Sequence, residues 1–243
     1  MRIQALAKAA MDLVFPQVRC LCCDEPREIN KDQPLCEACM ASLEGLRIKD
    51  TSCPNCLSPK TSGQSCAYCA DGGMAGLERA YAPYAYKDEA RKLIMALKFG
   101  PVLLAAKPLA MEMALCISGV RFDALVPVPL HKDRQRERGM NQSEELCKLI
   151  EEYTGLPVLL ALSKKRKTKR QSDLPKHLRH DNVKDAFEAT MDVLGLDIVL
   201  VDDVRTTGST ARECAKALKE AGAASVSLLT AAVAGGGRHD ELA

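Results

Sequence analysis

The chain has 243 residues, enough for one or two domains with a true hydrophobic core. Lys and Arg total 34 against 32 Asp and Glu, a net charge of +2, with 47% hydrophobic and 27% charged residues; these values exclude disordered, collagenous and uniformly basic chains. No apolar run reaches the roughly 18 residues that cross a bilayer, because Lys107 and Glu112 interrupt the longest candidates, so no transmembrane segment is expected.

At the amino terminus, Ile3, Leu6, Ala10, Leu13 and Val14 recur at helical spacing and predict a short amphipathic helix over residues 1–15. Lys8 and Asp12 break the apolar stretch and no small-residue cleavage site follows. That argues against a secretory leader and for a cytoplasmic protein. The polar face is not strongly basic, so a packing role is expected rather than a membrane-surface one.

Nine of the twelve cysteines fall between Cys20 and Cys69, leaving Cys116, Cys147 and Cys214 for the rest of the chain. Eight of the nine form Cys-x-x-Cys pairs: Cys20/Cys23, Cys36/Cys39, Cys53/Cys56 and Cys66/Cys69. A two-residue gap lets a turn aim backbone amides at the sulfurs while both thiolates face one ion, and two such pairs complete a tetrahedral zinc site. Twelve residues separate the first two pairs and nine the last two. Two structural zinc sites formed in sequential order are expected, with interleaved pairing left open by the spacing.

A disulfide framework is the competing arrangement, and it needs an oxidising compartment for which there is no secretory signal. Few large apolar side chains lie between residues 20 and 69, so metal must hold this region. Structural zinc contributes about 10–16 kcal/mol in small peptides. Closed four-thiolate shells leave no coordination position for substrate, and Cys22 is left over as a bystander thiol.

Further along, Ala124 to Leu130 (ALVPVPL) predicts a buried strand. Arg134, Arg136 and Arg138 follow at spacings of two; on an extended loop they would point alike and form an electropositive lid, the alternative being a solvated charged loop. Helical periodicity resumes after Glu144 with Leu146, Leu149 and Ile150.

Between Ser163 and Lys184 the chain carries nine Lys or Arg against two Asp, a local +7 hidden by the neutral total. Lys164, Lys165, Arg166, Lys167, Lys169 and Arg170 are candidate contacts for polyphosphate or a nucleic-acid backbone, the alternative being a solvated loop. No aromatic residue lies within the stretch, so base stacking there is not expected. His131, His177 and His180 lack a suitably spaced partner and are not expected to bind metal.

The segment Ile198 to Thr210 (IVLVDDVRTTGST) carries the most chemistry. Ile198 to Val201 predict a buried parallel strand ended by Asp202 and Asp203. Thr206, Thr207, Gly208, Ser209 and Thr210 then lead into a helix with the stripe Ala211, Cys214, Ala215 and Leu218, stopped by Gly222. A second apolar run, Val226 to Val233, completes a strand, loop, helix, strand unit, and ligands of such units bind beyond the carboxyl ends of the strands. Amides around Gly208 at a helix start make an anion cradle, hydroxyls add donors, and the two acids can accept hydrogen bonds from vicinal hydroxyls. The bland alternative is a capped helix. No Gly-Lys-Ser/Thr follows, which disfavours a Walker-type nucleotide loop.

This segment resembles the phosphoribosyl-pyrophosphate (PRPP) signature of type I phosphoribosyltransferases. The resemblance implies that Asp202 and Asp203 hold the ribose hydroxyls and that Thr206 to Thr210 hold the 5-phosphate, with Val204 and Arg205 between them; Arg205 departs from the small or apolar residue expected there. The cysteine pairs, Tyr84/Tyr86 with Leu93, Ile94, Leu97, Lys98, Phe99 and Gly100, then VPVPLH, RERGMNQ, then Gln171, Leu174, Arg179, Asn182, Ala186 and Phe187, and finally VDDVRTTGST occur in an order similar to that of the ComF family.

This resemblance implies an α/β type I phosphoribosyltransferase fold over residues 76–243, with a mainly parallel sheet flanked by helices. A double zinc ribbon over 16–75 and the helix over 1–15 would precede it. The loop at Val128 to His131 would approach the pyrophosphate, and Arg134, Arg136 and Arg138 would close over it. The implied reaction transfers ribose 5-phosphate from PRPP, with magnesium, to an acceptor that the residues leave open. Two other roles stay open beside it. One is a competence factor that uses PRPP as an effector and acts on single-stranded DNA with competence machinery proteins; the other is a zinc-organised scaffold with a vestigial pocket.

Overall fold

A computed structural model describes residues 19–26, 34–59, 66–99, 102–166, 168 and 182–234. The expected helix over 1–15 lies outside them, as do Lys167, Lys169, Arg170, Gln171, Leu174, His177, Arg179 and His180.

In chain order the elements are α1 (Glu37–Glu44), α2 (Ala67–Ala70), β1 (Ala80–Tyr81), β2 (Tyr84–Ala85), α3 (Asp88–Phe99), α4 (Val102–Cys116), β3 (Ala124–Pro127), α5 (Lys132–Arg138), α6 (Gln142–Thr154), β4 (Leu162–Lys164), β5 (Phe187–Ala189), β6 (Asp197–Arg205), α7 (Ser209–Glu220) and β7 (Ser225–Val233). The main sheet runs β1-β7-β6-β3, with β2 also pairing β7, and every pairing is parallel.

Parallel sheets need cover on both faces, and the period-two alternation of side chains supplies it. Leu125, Val199, Val201 and Leu229 belong to one buried cluster with Leu93, Ile94, Leu109, Met113, Leu146 and Ile150 of α3, α4 and α6. Val126, Ile198, Leu200 and Leu228 belong to the opposite cluster with Cys214, Ala215 and Leu218 of α7 and with Leu162 and Phe187 of the small antiparallel β4–β5 sheet.

Both sheet edges are occupied. Val158 bridges Leu125 on the β3 side. On the other side the linker between the cysteine modules pairs with β2, where Ala85 N donates to Leu46 O (2.8 Å) and Ile48 N to Pro83 O (2.9 Å). The cysteine-rich region is thereby built onto the sheet.

Two expectations change. The acids do not end the central strand: β6 continues to Arg205 because β7 still pairs beside it, Val204 with Ala232 and Arg205 with Val233. The arginines at 134, 136 and 138 lie on a helix rather than an extended loop. His131 caps α5 by accepting from Asp133 N (3.3 Å), and Gly139 ends it at φ 77°. The straight-chain residues between these caps favour the helix.

Candidate functional site

The acids and the turn open on one cleft at the carboxyl end of the sheet, of about 440 Å³, a volume suited to a small ligand. The turn is held for anions. Gly208 sits at φ 70° as the N-cap of the twelve-residue α7, and Thr207 Oγ1 meets Ser209 Oγ at 3.0 Å. Thr206, Thr207, Gly208, Ser209 and Thr210 all border the cleft. Amides at a helix start and the dipole behind them favour a phosphate there.

Asp202 and Asp203 stand one residue apart in β6. Asp202 Oδ1 accepts from Asp203 N (2.9 Å) and from Ser143 Oγ (3.4 Å), while Asp203 Oδ2 pairs with Lys98 Nζ at 2.6 Å. Burial, with the neighbouring Asp203 charge, pushes Asp202 up to about 7. Burial opposes the charged form of Lys98, but the Asp203 carboxylate outweighs it and holds the pKa above its ordinary value.

The cleft is also lined by cations. Arg134 and Arg138, four apart on α5, both line the cleft, whereas Arg136 is exposed and does not. Val128, Pro129 and Leu130 line it as well, and Val204 borders it; His131 is absent from the wall, its ring being spent on the α5 cap. Lys164 also faces the cleft, with Nζ 5.1 Å from the centre of the Phe187 ring; burial and the nearby Arg134 charge lower it to about 8. Lys165 pairs with Glu188 (3.4 Å), and Arg166 donates to Lys184 O (2.9 Å). Of the described part of the basic stretch, Lys164 and Thr168 therefore line the cleft, while Lys165 and Arg166 make local contacts.

Side chains remote in sequence complete the cleft. Lys98 and Ser143 come from α3 and α6 to meet the acids. Gln142 Nε2 and Thr230 Oγ1 are buried without a hydrogen-bond partner among the described residues. Thr230 stands beside Asp202 in register. Lys98 and Gln142 sit inside the family-like segments, but no local spacing ties either to Asp202.

Arg205 borders the cleft, yet its guanidinium points into the cysteine region. Nη2 donates to Cys56 O (2.8 Å) and Ser58 Oγ (3.0 Å), and the plane lies 4.4 Å from the Tyr68 ring centre.

The cysteines form two sequential tetrads, Cys20/Cys23/Cys36/Cys39 and Cys53/Cys56/Cys66/Cys69, the sulfurs of each within 4.8 Å of one another. Sγ separations of 3.7 Å (Cys23–Cys36) and 3.8 Å (Cys53–Cys69) match the edge of about 3.8 Å of a tetrahedron built on 2.3 Å zinc–sulfur bonds. The Cys22 and Cys36 amides reach Cys20 Sγ at 3.5 and 3.3 Å, as a thiolate ligand requires. Cys22 instead faces Glu89 O at 3.6 Å, and burial pushes its thiol up to about 12. The donor sets fit structural zinc.

Fold and site together define a type I phosphoribosyltransferase-like protein with a double zinc ribbon before it. A family model described as a double zinc ribbon domain matches residues 10–70. The DNA utilization protein YhgH of Escherichia coli is 33% identical over 197 residues, covering 77% of this chain and 86% of that protein. The competence protein ComFC of Bacillus subtilis is 27% identical over 213 residues, covering 83% and 85%. The chain belongs to the ComF/ComFC family.

With YhgH of Salmonella typhi the alignment is 42% identical over 105 residues, which is 43% of this chain and 46% of that protein, so it spans less than half of that relative's length. Among solved structures, a glutamine PRPP amidotransferase from B. subtilis complexed with ADP and GMP matches at a TM-score of 0.39 and 25% identity, over 56% of this chain and 30% of that one. Among the described residues, no helix is long and apolar enough to cross a membrane.

Proposed function

We propose that the cleft binds PRPP with magnesium, transfers ribose 5-phosphate to an acceptor, and serves DNA uptake in the cytoplasm. The assignment rests on one observation: two adjacent carboxylates and a hydroxyl-rich helix start border one cleft that Arg134, Arg138 and Lys164 also line. In this reading Asp202 and Asp203 accept from the ribose hydroxyls, Thr206 to Thr210 hold the 5-phosphate, and the cations meet the pyrophosphate. The paired carboxylates are hard oxygen donors suited to magnesium, which supplies charge neutralisation at the pyrophosphate. The ribbon over 16–75 and the transferase-like domain over 76–243 are the working units.

The relatives' names, DNA utilization and competence protein, support the link to DNA. A second reading, PRPP as an effector of single-stranded DNA handling alongside competence proteins, draws on Lys164, where the basic stretch meets the cleft. Incubating the full chain with PRPP, magnesium and a panel of bases, amines and oligonucleotides separates the two. Acceptor-dependent pyrophosphate release supports transfer, and saturable binding without turnover supports the effector role.

The helical placement of the arginines makes its own prediction. Arg134→Met and Arg138→Met should each weaken PRPP binding about tenfold or more, the scale of one charge-assisted hydrogen bond. Arg136→Met should change it less than twofold. Equal losses at all three positions in calorimetry would restore the extended-lid geometry.

A further inference from the structure

Arg205 is a buried cation without an acid. The residue is 2% exposed, and among the described residues it forms no ion pair. Its Nη2 bonds are made to neutral oxygens, Cys56 O and Ser58 Oγ, and its Nε, also buried, has no hydrogen-bond partner. A buried guanidinium without a counter-charge is strongly unfavourable. The counter-charge that this surrounding can supply is the second tetrad: four thiolates around Zn²⁺ sum to −2, whereas four thiols sum to zero. The bond from Nη2 to Cys56 O brings this unneutralised guanidinium to the second tetrad, which fits a metal-loaded cluster.

The same side chain belongs to the ligand site by its backbone, since Arg205 directly precedes Thr206. The contact is reinforced by Tyr68, which lies between the ligands Cys66 and Cys69. Its ring stacks on Arg205, its hydroxyl donates to Thr207 O (3.2 Å), and a Cβ at position 208 would collide with that hydroxyl. Arg212 completes the brace by donating to both Gly73 O (3.2 Å) and Thr207 O (3.3 Å). Gly208 is required here twice, for its left-handed φ and for the approach of Tyr68. The first tetrad is attached elsewhere: Cys22 faces Glu89 O, and Ser42 Oγ donates to Glu89 Oε2 (2.7 Å), both on α3.

We propose that Arg205 is a positioning residue that couples the second zinc cluster to the phosphate-binding turn, so that metal at Cys53, Cys56, Cys66 and Cys69 and a phosphate ester at Thr206–Thr210 stabilise one another. The inference rests on the reading of that turn as a phosphate site. Coupling between two binding sites is reciprocal in affinity, so a ligand at the turn must tighten metal at the second cluster by the factor with which metal there tightens the ligand; slower metal loss is how that gain is read, and the first cluster serves as an internal control.

The test uses the full chain loaded with two zinc ions, a chromophoric chelator to follow their release, and PRPP with magnesium as the probe. Saturating PRPP should slow release of one zinc equivalent about five- to tenfold and leave the other unchanged, within the usual range of coupling between sites. In Arg205→Met, one equivalent should leave faster even without PRPP, and PRPP should no longer slow it; Arg205→Lys, which keeps the charge, should restore part of both effects. If Arg205→Met does not fold, Tyr68→Phe keeps the charge and every thiolate but cuts the bond to Thr207, and it should lose the PRPP effect alone.

Calorimetry on the same wild-type sample keeps the failures apart. Absent PRPP binding sinks the phosphate reading, and the ligand-free release from Arg205→Met then decides whether Arg205 is tied to the cluster. PRPP binding that slows both zinc ions equally, or neither, overturns the coupling, as does release of both ions from Arg205→Met at the wild-type rate.

Discussion

Replacing Asp202 and Asp203 together by Asn is expected to abolish saturable PRPP binding while leaving two zinc equivalents bound. Once ionised, the carboxylates accept from the ribose hydroxyls, and hydrogen bonds to charged groups contribute about 1.5–3 kcal/mol each, so losing two such acceptors costs a hundredfold or more in affinity. Each replacement is uncharged and exchanges one acceptor oxygen for an NH2 donor. The tetrads are built from residues 20–69 and do not touch these side chains, so zinc content is the control for folding. Binding retained in the double variant, measured by titration calorimetry, would remove the sugar assignment.

The pair should also show its cost in the stability of the ligand-free protein. Asp202 is pushed up to about 7 in the folded state, well above its ordinary value of 3.8. Between those two pH values the folded chain holds a proton at Asp202 that the unfolded chain has released, so this group makes stability fall as pH rises through that window. Asn at position 202 has no charge to bury. Asp202→Asn should therefore raise Tm relative to wild type at pH 8 and much less at pH 4, the reverse of a damaging core substitution. The same titration predicts that PRPP binding strengthens as pH rises through about 7, because the ionised carboxylate is the better acceptor. A Tm difference independent of pH would show that Asp202 carries no unfavourable charge. Lys98 already partners Asp203, so Asp203→Asn should lack this benefit.

Much of this site was legible along the chain because its parts are contiguous. Residues 198 to 210 contain the strand, the acids, the turn and the helix start in one run, and the Cys-x-x-Cys pairs gave the tetrads the same advantage. The features that differ from the sequence expectation depend on neighbours. The strand was expected to stop at the acids, but its length is set by β7, which is distant in sequence. The arginines were assigned an extended loop on their spacing of two, although His131 before them and Gly139 after them mark a short helix, which changes which arginines face the ligand. In the sequence Arg205 stands out only as a departure from the small or apolar residue expected before the turn. Nothing local shows that Cys56, Ser58 and Tyr68 fold up beside it, nor that Lys98 crosses more than a hundred residues to reach Asp203. Local chemistry was thus visible in the order of residues, whereas charge compensation was not, since it is a property of packing.

Removing zinc from the full chain should melt the cysteine region before the sheet, and unequally within that region. The second tetrad packs with Cys53, Cys56 and Cys66 as its buried apolar residues and with partly buried Tyr68, Cys69 and Met74 around them, so its core is largely its own ligands. The first tetrad shares a cluster with Leu35, Leu43 and the α3 and α4 side chains, which persist without metal. Structural zinc contributes about 10–16 kcal/mol to small ribbon-like peptides, a loss that a core of three cysteines cannot offset. Under chelation, hydrogen exchange should accelerate first at residues 53–59 and 66–70, and later at 34–44. The amides of β6 and β7 within the double-sided core should stay protected. The turn at 206–208 should follow the second tetrad, since Tyr68 and Arg205 join them. Uniform exchange across the chain on chelation would mean that ribbon and sheet unfold as one unit, and reduced protein whose mass shows no bound zinc would remove metal from the account of residues 20–69.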